Sequence, residues 1–157
     1  MKRTKTITQA AIIAALYVVL TFIANAMGLA SGAIQIRLSE ALTILPYFTP
    51  AAIPGLFVGC LLSNILVGDA LFDIIFGSIA TLIGALGTYL LRKSKWLTPI
   101  PPILSNTIIV PLVLIYAYGV SDALPYLMLT VGIGEVISAG LLGMILLKSL
   151  EKHRDIF

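Results

Sequence analysis

The chain has 157 residues, a length that fits a single domain over 1–157, and 59% of them are apolar while only 11% are charged. A soluble domain carries about 25% charged residues, so a water-soluble globule is excluded, and the apolar excess excludes a disordered chain as well. With a mean hydropathy of +1.07 and one cysteine, Cys60, the composition is that of an integral membrane protein without an intrachain disulfide framework or a multi-cysteine metal site.

The seventeen charged residues mark the elements. Residues 6–36, 41–68, 74–91 and 96–121 carry no charge, and two uncharged runs of twelve, 123–134 and 136–147, flank Glu135. A spanning helix needs about 20 mainly apolar residues. The spacing predicts an all-α protein, a six-transmembrane-helix bundle with helices at about 7–27, 36–48, 52–68, 71–91, 102–119 and 123–148. Pro46, Pro50 and Pro54 break the run 41–68, so the second helix is short, turns near 47–50, and needs a start near Gly32 or a tilt to cross. Gly, Pro and polar residues fill the joints at 30–32, 68–69, 98–102 and 119–122.

Nine of the ten basic residues fall in three segments that six helices place on one side: Lys2, Arg3 and Lys5; Arg92, Lys93 and Lys95; Lys148, Lys152 and Arg154. Basic residues concentrate on the cytoplasmic side, which predicts the cytoplasmic membrane as location, both termini and the 92–101 loop inside, and Trp96 as an interfacial anchor. This segregation speaks against nucleic acid as the partner of a chain with a pI near 9.1. Lys2 to Lys5, the apolar stretch and Ala24-Asn25-Ala26 resemble a cleavable signal peptide. The apolar run outlasts a usual signal core and continues past that point, so the segment reads as a retained helix.

The other charges collect on the outer half: Glu40, Asp69, Asp73, Asp122 and Glu135 against Arg37. A carboxylate at bilayer depth costs about 2.5–3.5 kcal/mol on insertion scales and faces the bundle interior. Glu135, over three turns inside the sixth helix, is the strongest functional candidate. Asp73 lies one turn past Asp69 and shares its face, so both can point into one cavity; Asp69 can equally cap the fourth helix. Arg37 and Glu40 can pair with each other, line a site, or do both. Asn64 and Asn106 suit interhelical hydrogen bonds or a site. Asp122 reads as a solvated turn residue or cap. Tyr116, Tyr118 and Tyr126 form either a stacking surface for a planar ligand or an interfacial belt.

Ala10, Ala11, Ala14 and Ala15 make two small-xxx-small pairs on the first helix, and Ala80 with Gly84 and Ala139 with Gly143 repeat the pattern. Close packing through small faces drives helix association in lipid. Bundle packing accounts for the later pairs; the first helix can instead dock another membrane protein. His153, the only histidine, lies in the polar tail, and no phosphate-binding loop occurs. These absences leave catalysis, a metal centre and ATP hydrolysis by this chain without support.

The segment Gln35-Ile36-Arg37-Leu38-Ser39-Glu40-Ala41-Leu42-Thr43, followed by Leu45-Pro46-Tyr47-Phe48-Thr49-Pro50, closely resembles the QueT family. So do Gly55-Leu56-Phe57-Val58-Gly59-Cys60-Leu61-Leu62, Asp73-Ile74-Ile75-Phe76-Gly77-Ser78 and Gly132-Ile133-Gly134-Glu135. Members of that family are substrate-binding (S) components of energy-coupling factor transporters for queuosine precursors. The resemblance implies an S-component fold whose site opens outward under the loop between the first two helices. It implies partners: a transmembrane coupling protein, which meets the small-residue strip of the first helix, and two cytoplasmic ABC ATPases that use the ATP. It also implies no enzymatic activity in this chain and, as substrate, a 7-deazaguanine such as 7-aminomethyl-7-deazaguanine.

That chemistry suits the charges. A carboxylate accepts the guanine-like N1–H and 2-amino group bidentately, and a protonated aminomethyl arm needs a second. The expected assignment gives the guanine edge to Glu135 with Asn106, the amine to Asp73 or Glu40, and either Glu40 or the O6 carbonyl to Arg37, with the two carboxylate roles exchangeable. Rival readings are an S component for another vitamin such as thiamine, a small proton-coupled carrier using Glu135, and a membrane assembly factor binding only protein through its alanine strip.

Overall fold

The computed structural model describes residues 2–30 and 34–153; the proposed helix start near Gly32 and the basic residue Arg154 lie outside them. The chain forms α1 (Lys2–Ala26), a 3₁₀ helix (Leu38–Tyr47), α2 (Ala52–Val67), α3 (Leu71–Leu90), α4 (Ile100–Tyr118) and α5 (Leu124–Glu135), which runs through a π-helical stretch (Val136–Leu142) into α6 (Gly143–Glu151). Among the described residues four helical stretches are long and apolar enough to cross a membrane: 3–26, 71–90, 100–118 and 124–151. With α2, a shorter apolar helix, they match five of the six expected elements to within a few residues.

The second element differs from the expected membrane helix. It is ten residues of 3₁₀ helix, with Pro46 inside it and Thr43 Oγ1 bonded to the Glu40 carbonyl at 2.6 Å. Pro46 cannot donate to an α-helical ladder, and the Thr43 bond strengthens an i to i−3 pattern. At about 2.0 Å per residue the helix is roughly 20 Å long, short of the ~30 Å apolar core of a bilayer. It needs no lipid contact, because Ser39 through Pro46 are all buried. Packed by α1, α2, α3, the π stretch and α6, it forms the centre of the bundle.

Close backbone approach holds the surrounding helices. A Cβ on Gly55 would lie 2.7 Å from the Ala10 carbonyl oxygen, and one on Gly59 would lie 3.0 Å from Ala14 Cα. The Gly55/Gly59 pair of α2 thus receives Ala10 and Ala14 of α1, the small-residue contact that substitutes for hydrophobic drive in lipid. The alanine strip of α1 is therefore divided, because Ala14 is buried here while Ala11 and Ala15 stay exposed. Gly84 meets Pro102 of α4, and Gly143 lies near Ala41, so the later small pairs pack internally as expected. Ile13, Tyr17, Leu42, Leu45, Leu56 and Cys60 fill the space between.

The ends of the rods alternate. Thr49 Oγ1 bonds Gln9 Oε1 at 3.2 Å, and Lys95 pairs with Glu151 at 3.3 Å, which ties the 48–51 turn, the 91–99 loop and both terminal helices to one end. Lys148 sits 5.6 Å from the Trp96 ring there. At the opposite end α2 and α4 stop at Gly68 and Gly119, whose φ of +88° and +65° suits glycine.

Candidate functional site

From that opposite end residues 34–37 plunge into the bundle instead of running over its surface. The Arg37 backbone N–H donates to Ser138 Oγ at 3.0 Å, and the Gln35 carbonyl packs onto Gly134, where a Cβ would lie only 2.1 Å from its oxygen. Glu135 is the twelfth residue of α5, about 16 Å along it at 1.5 Å per residue. The 3₁₀ helix thus begins about halfway along the rod formed by residues 124–151. Arg37 and Glu40 stand at the start of this helix, and that end is sunk deep in the protein.

Two polar layers result. The deeper one surrounds Glu40, whose side chain is 1% exposed. The Tyr17 hydroxyl of α1 donates a short hydrogen bond to Glu40 Oε1, Asn106 Nδ2 of α4 donates to Oε2 at 3.2 Å, and Thr81 Oγ1 of α3 approaches Oε1 at 3.5 Å. The Asn106 side chain also faces Glu135. Glu135 Oε2 and Thr107 Oγ1 are buried without a hydrogen-bond partner. Three helices therefore converge on one carboxylate of the 3₁₀ helix, which explains how a charge-capable group stands at the centre of a membrane bundle.

The shallower layer lines a cavity of about 330 Å³ bounded by α1, residues 35–39, the end of α2, the start of α3 and the end of α4. Its polar wall includes Tyr17, Arg37, Asn64, Asp69, Asp73 and Tyr118. Asn64 Nδ2 donates to the Asp73 carbonyl at 3.3 Å, and the Tyr118 hydroxyl donates to Asp73 Oδ2 at 3.2 Å while accepting the Ala70 N–H at 3.1 Å. Asp73 Oδ1 is buried without a partner. Burial and the neighbouring Asp73 charge push the Asp69 carboxyl above its usual range, against the pull of Arg37.

Arg37 joins the layers: the charges acting on it include those of Asp73, Glu40 and Glu135. It forms no ion pair within 4.0 Å with Glu40, unlike Lys95, which pairs with Glu151. Of the readings their spacing left open, a simple Arg37–Glu40 pair is not formed; one guanidinium stands among several carboxylates. Arg37, Asn64, Asp69 and Asp73 line the cavity, whereas Glu40, Asn106 and Glu135 lie in the layer behind it. Asp122 is exposed at the turn. Of the three clustered tyrosines only Tyr118 reaches the cavity wall, and Tyr116 is 80% exposed.

The family model for QueT transporters matches residues 7–152, an interval that contains every residue of both layers. The chain belongs to the QueT transporter family. The queuosine precursor transporter QueT of Lactococcus lactis subsp. cremoris is 38% identical over 98 residues, which cover 60% of this chain and 57% of that protein. This chain therefore aligns with little more than half the length of that relative. No solved structure matches. The long apolar helices and the QueT family together make this a multi-pass membrane protein of a transporter family.

The residues that sequence reading passed over are Tyr17, Thr81 and Ser138, each of which bonds a residue it did select or that residue's backbone. Their hydroxyls left one signal: a hydroxyl inside an apolar helix must find a partner when buried. Which partner depends on the path of residues 34–37, and periodicity does not report that path.

Proposed function

We propose that the chain is the S component of an energy-coupling factor importer in the cytoplasmic membrane. In this reading it captures a cationic 7-deazaguanine, 7-aminomethyl-7-deazaguanine being the best fit, and both termini lie inside. The observation that carries it is the cavity wall, where Asp69 and Asp73 stand near a single Arg37 and Asp73 Oδ1 has no partner. A volume of about 330 Å³ lies in the range of small-molecule sites. The name of the Lactococcus lactis relative supports the substrate class.

The cavity favours a division of labour that differs from the one expected from sequence. Asp73 takes the ammonium in preference to Glu40, because Asp73 lines the cavity. Arg37 meets the O6 carbonyl, and Asn64 borders the ring. Glu135, Glu40 and Asn106 then act through Arg37, holding its charge in place from behind. The exposed Ala11 and Ala15 are the part of the alanine strip left for a coupling protein, and two ABC ATPases supply the ATP chemistry. The chain itself catalyses no reaction and holds no cofactor.

Calorimetric titration of the detergent-purified chain tests this. Tight binding of 7-aminomethyl-7-deazaguanine is expected, with guanine weaker because it lacks the cationic arm. Asp73→Asn should cost at least about tenfold, the effect of losing one charge-assisted hydrogen bond. Well-folded wild-type protein that binds neither compound would sink the proposal. Uptake into proteoliposomes without ATPase subunits, driven by a pH gradient, would replace it with the proton-coupled carrier.

A further inference from the structure

The Tyr118 hydroxyl has three polar neighbours and one proton. It accepts the Ala70 N–H at 3.1 Å and donates to Asp73 Oδ2 at 3.2 Å, while the Asp69 carboxylate faces it as well. Once that proton is given to Asp73, the hydroxyl offers Asp69 no donor. Asp73 Oδ1 is also left without one although the residue is only 5% exposed. Gly77, one turn further along α3, lets that oxygen lie against the helix, since a Cβ there would stand 3.0 Å from it. The subsite is thus built of oriented acceptors that lack donors. At the 7-position a primary ammonium brings three donors and a full charge, whereas a nitrile or a ring C–H brings neither.

We infer that Tyr118 is the positioning residue that gives this site its preference for a primary ammonium: by fixing Asp73 Oδ2 against the end of α4, it holds the donor-poor Asp73 and Asp69 carboxyl groups together at the cavity wall. This rests on the functional reading above and deepens it, since it separates recognition of the charged arm from recognition of the ring. Tyr118 is 45% exposed at the cavity mouth, so replacing it by phenylalanine leaves the buried packing in place.

The test titrates the full wild-type chain and Tyr118→Phe with 7-aminomethyl-7-deazaguanine and with neutral 7-cyano-7-deazaguanine, which keeps the ring and removes the charge. The expected result is a loss of about tenfold for the amine with the nitrile changed less than about twofold, so that the ratio of affinities moves. Asp69→Asn should move the ratio the same way and, being isosteric, guards against a folding defect. Equal losses for both ligands would show a merely structural tyrosine, and an unchanged ratio in both variants would likewise overturn the inference while leaving the functional reading intact. Binding of neither compound by folded wild-type protein would overturn both.

Discussion

Substituting Gly134 with alanine perturbs the site without touching any polar group in it. The new Cβ would stand 2.1 Å from the Gln35 carbonyl oxygen, and real Cβ atoms essentially never approach within 3.0 Å. Residues 34–37 must therefore retreat by about 0.9 Å or more, since both partners are backbone and no side chain can rotate away. The Arg37 N–H to Ser138 Oγ bond, now 3.0 Å, would lengthen toward 4 Å and be lost. Overpacking of this kind costs about 1–3 kcal/mol and the bond about 1 kcal/mol, so stability should fall by about 2–4 kcal/mol. For a chain of this size that is a drop in Tm of roughly 5–15 °C. Because Arg37 moves with the segment, affinity for the deazaguanine should fall by about tenfold or more. Thermal unfolding in detergent and calorimetry read the two effects separately. Wild-type Tm and affinity in Gly134→Ala would refute the claim that residues 34–37 are seated on α5.

The divided alanine strip predicts divided phenotypes. Ala14→Leu should destabilise the isolated chain by about 1–3 kcal/mol through overpacking against Gly59. Ala15→Leu, on the exposed face, should leave Tm within about 2 °C and instead weaken co-purification with the proposed coupling protein; a large Tm loss in Ala15→Leu would contradict the arrangement of α1 and α2. The Asp69 carboxyl, raised by burial and by Asp73, makes affinity and stability respond oppositely to pH. Ammonium capture needs the ionised form, so affinity should fall as pH drops through the Asp69 pKa, starting above the ~3.9 of an ordinary aspartate. Stability without ligand follows the reverse sign: a raised carboxyl pKa contributes stability that is present at low pH and lost as pH rises through it. Calorimetry across this range should lose the Asp69 part of the slope in Asp69→Asn, and an unchanged slope would remove Asp69 from the subsite.

Most of the bundle was legible in the sequence because a lipid environment makes its rules severe. Uncharged runs long enough to span have few alternatives, and α1, α3, α4 and the rod 124–151 lie close to where those runs put them. The alternation of chain ends follows from the same runs. Asp69 and Asp73 were legible as a pair from their spacing of one turn, and the cavity does receive both. The Arg37–Glu40 spacing left pairing, site lining or both open, and it could not choose among them because it assumed an α-helix of ordinary placement. Arg37 instead lies before a 3₁₀ helix, in a segment whose depth is fixed by contacts with Gly134 and Ser138 about a hundred residues away. Local periodicity does not encode such contacts.

The buried 3₁₀ helix also explains why the polar chemistry can exist here at all. A helix with one face in lipid must keep that face apolar along its length, which leaves few positions for polar groups. The stretch Ser39 to Pro46 has no exposed face, so Ser39, Glu40 and Thr43 each meet a protein hydrogen-bond partner instead of hydrocarbon. Its shortness, unfavourable for a spanning segment, is what allows residues 34–37 to enter the bundle above it and leaves the cavity in the space an ordinary membrane helix would fill. In that arrangement the carboxylates outnumber the single guanidinium among them. The missing positive charge and the missing volume lie in the same half of the protein, and a cationic ligand of the kind proposed would supply both.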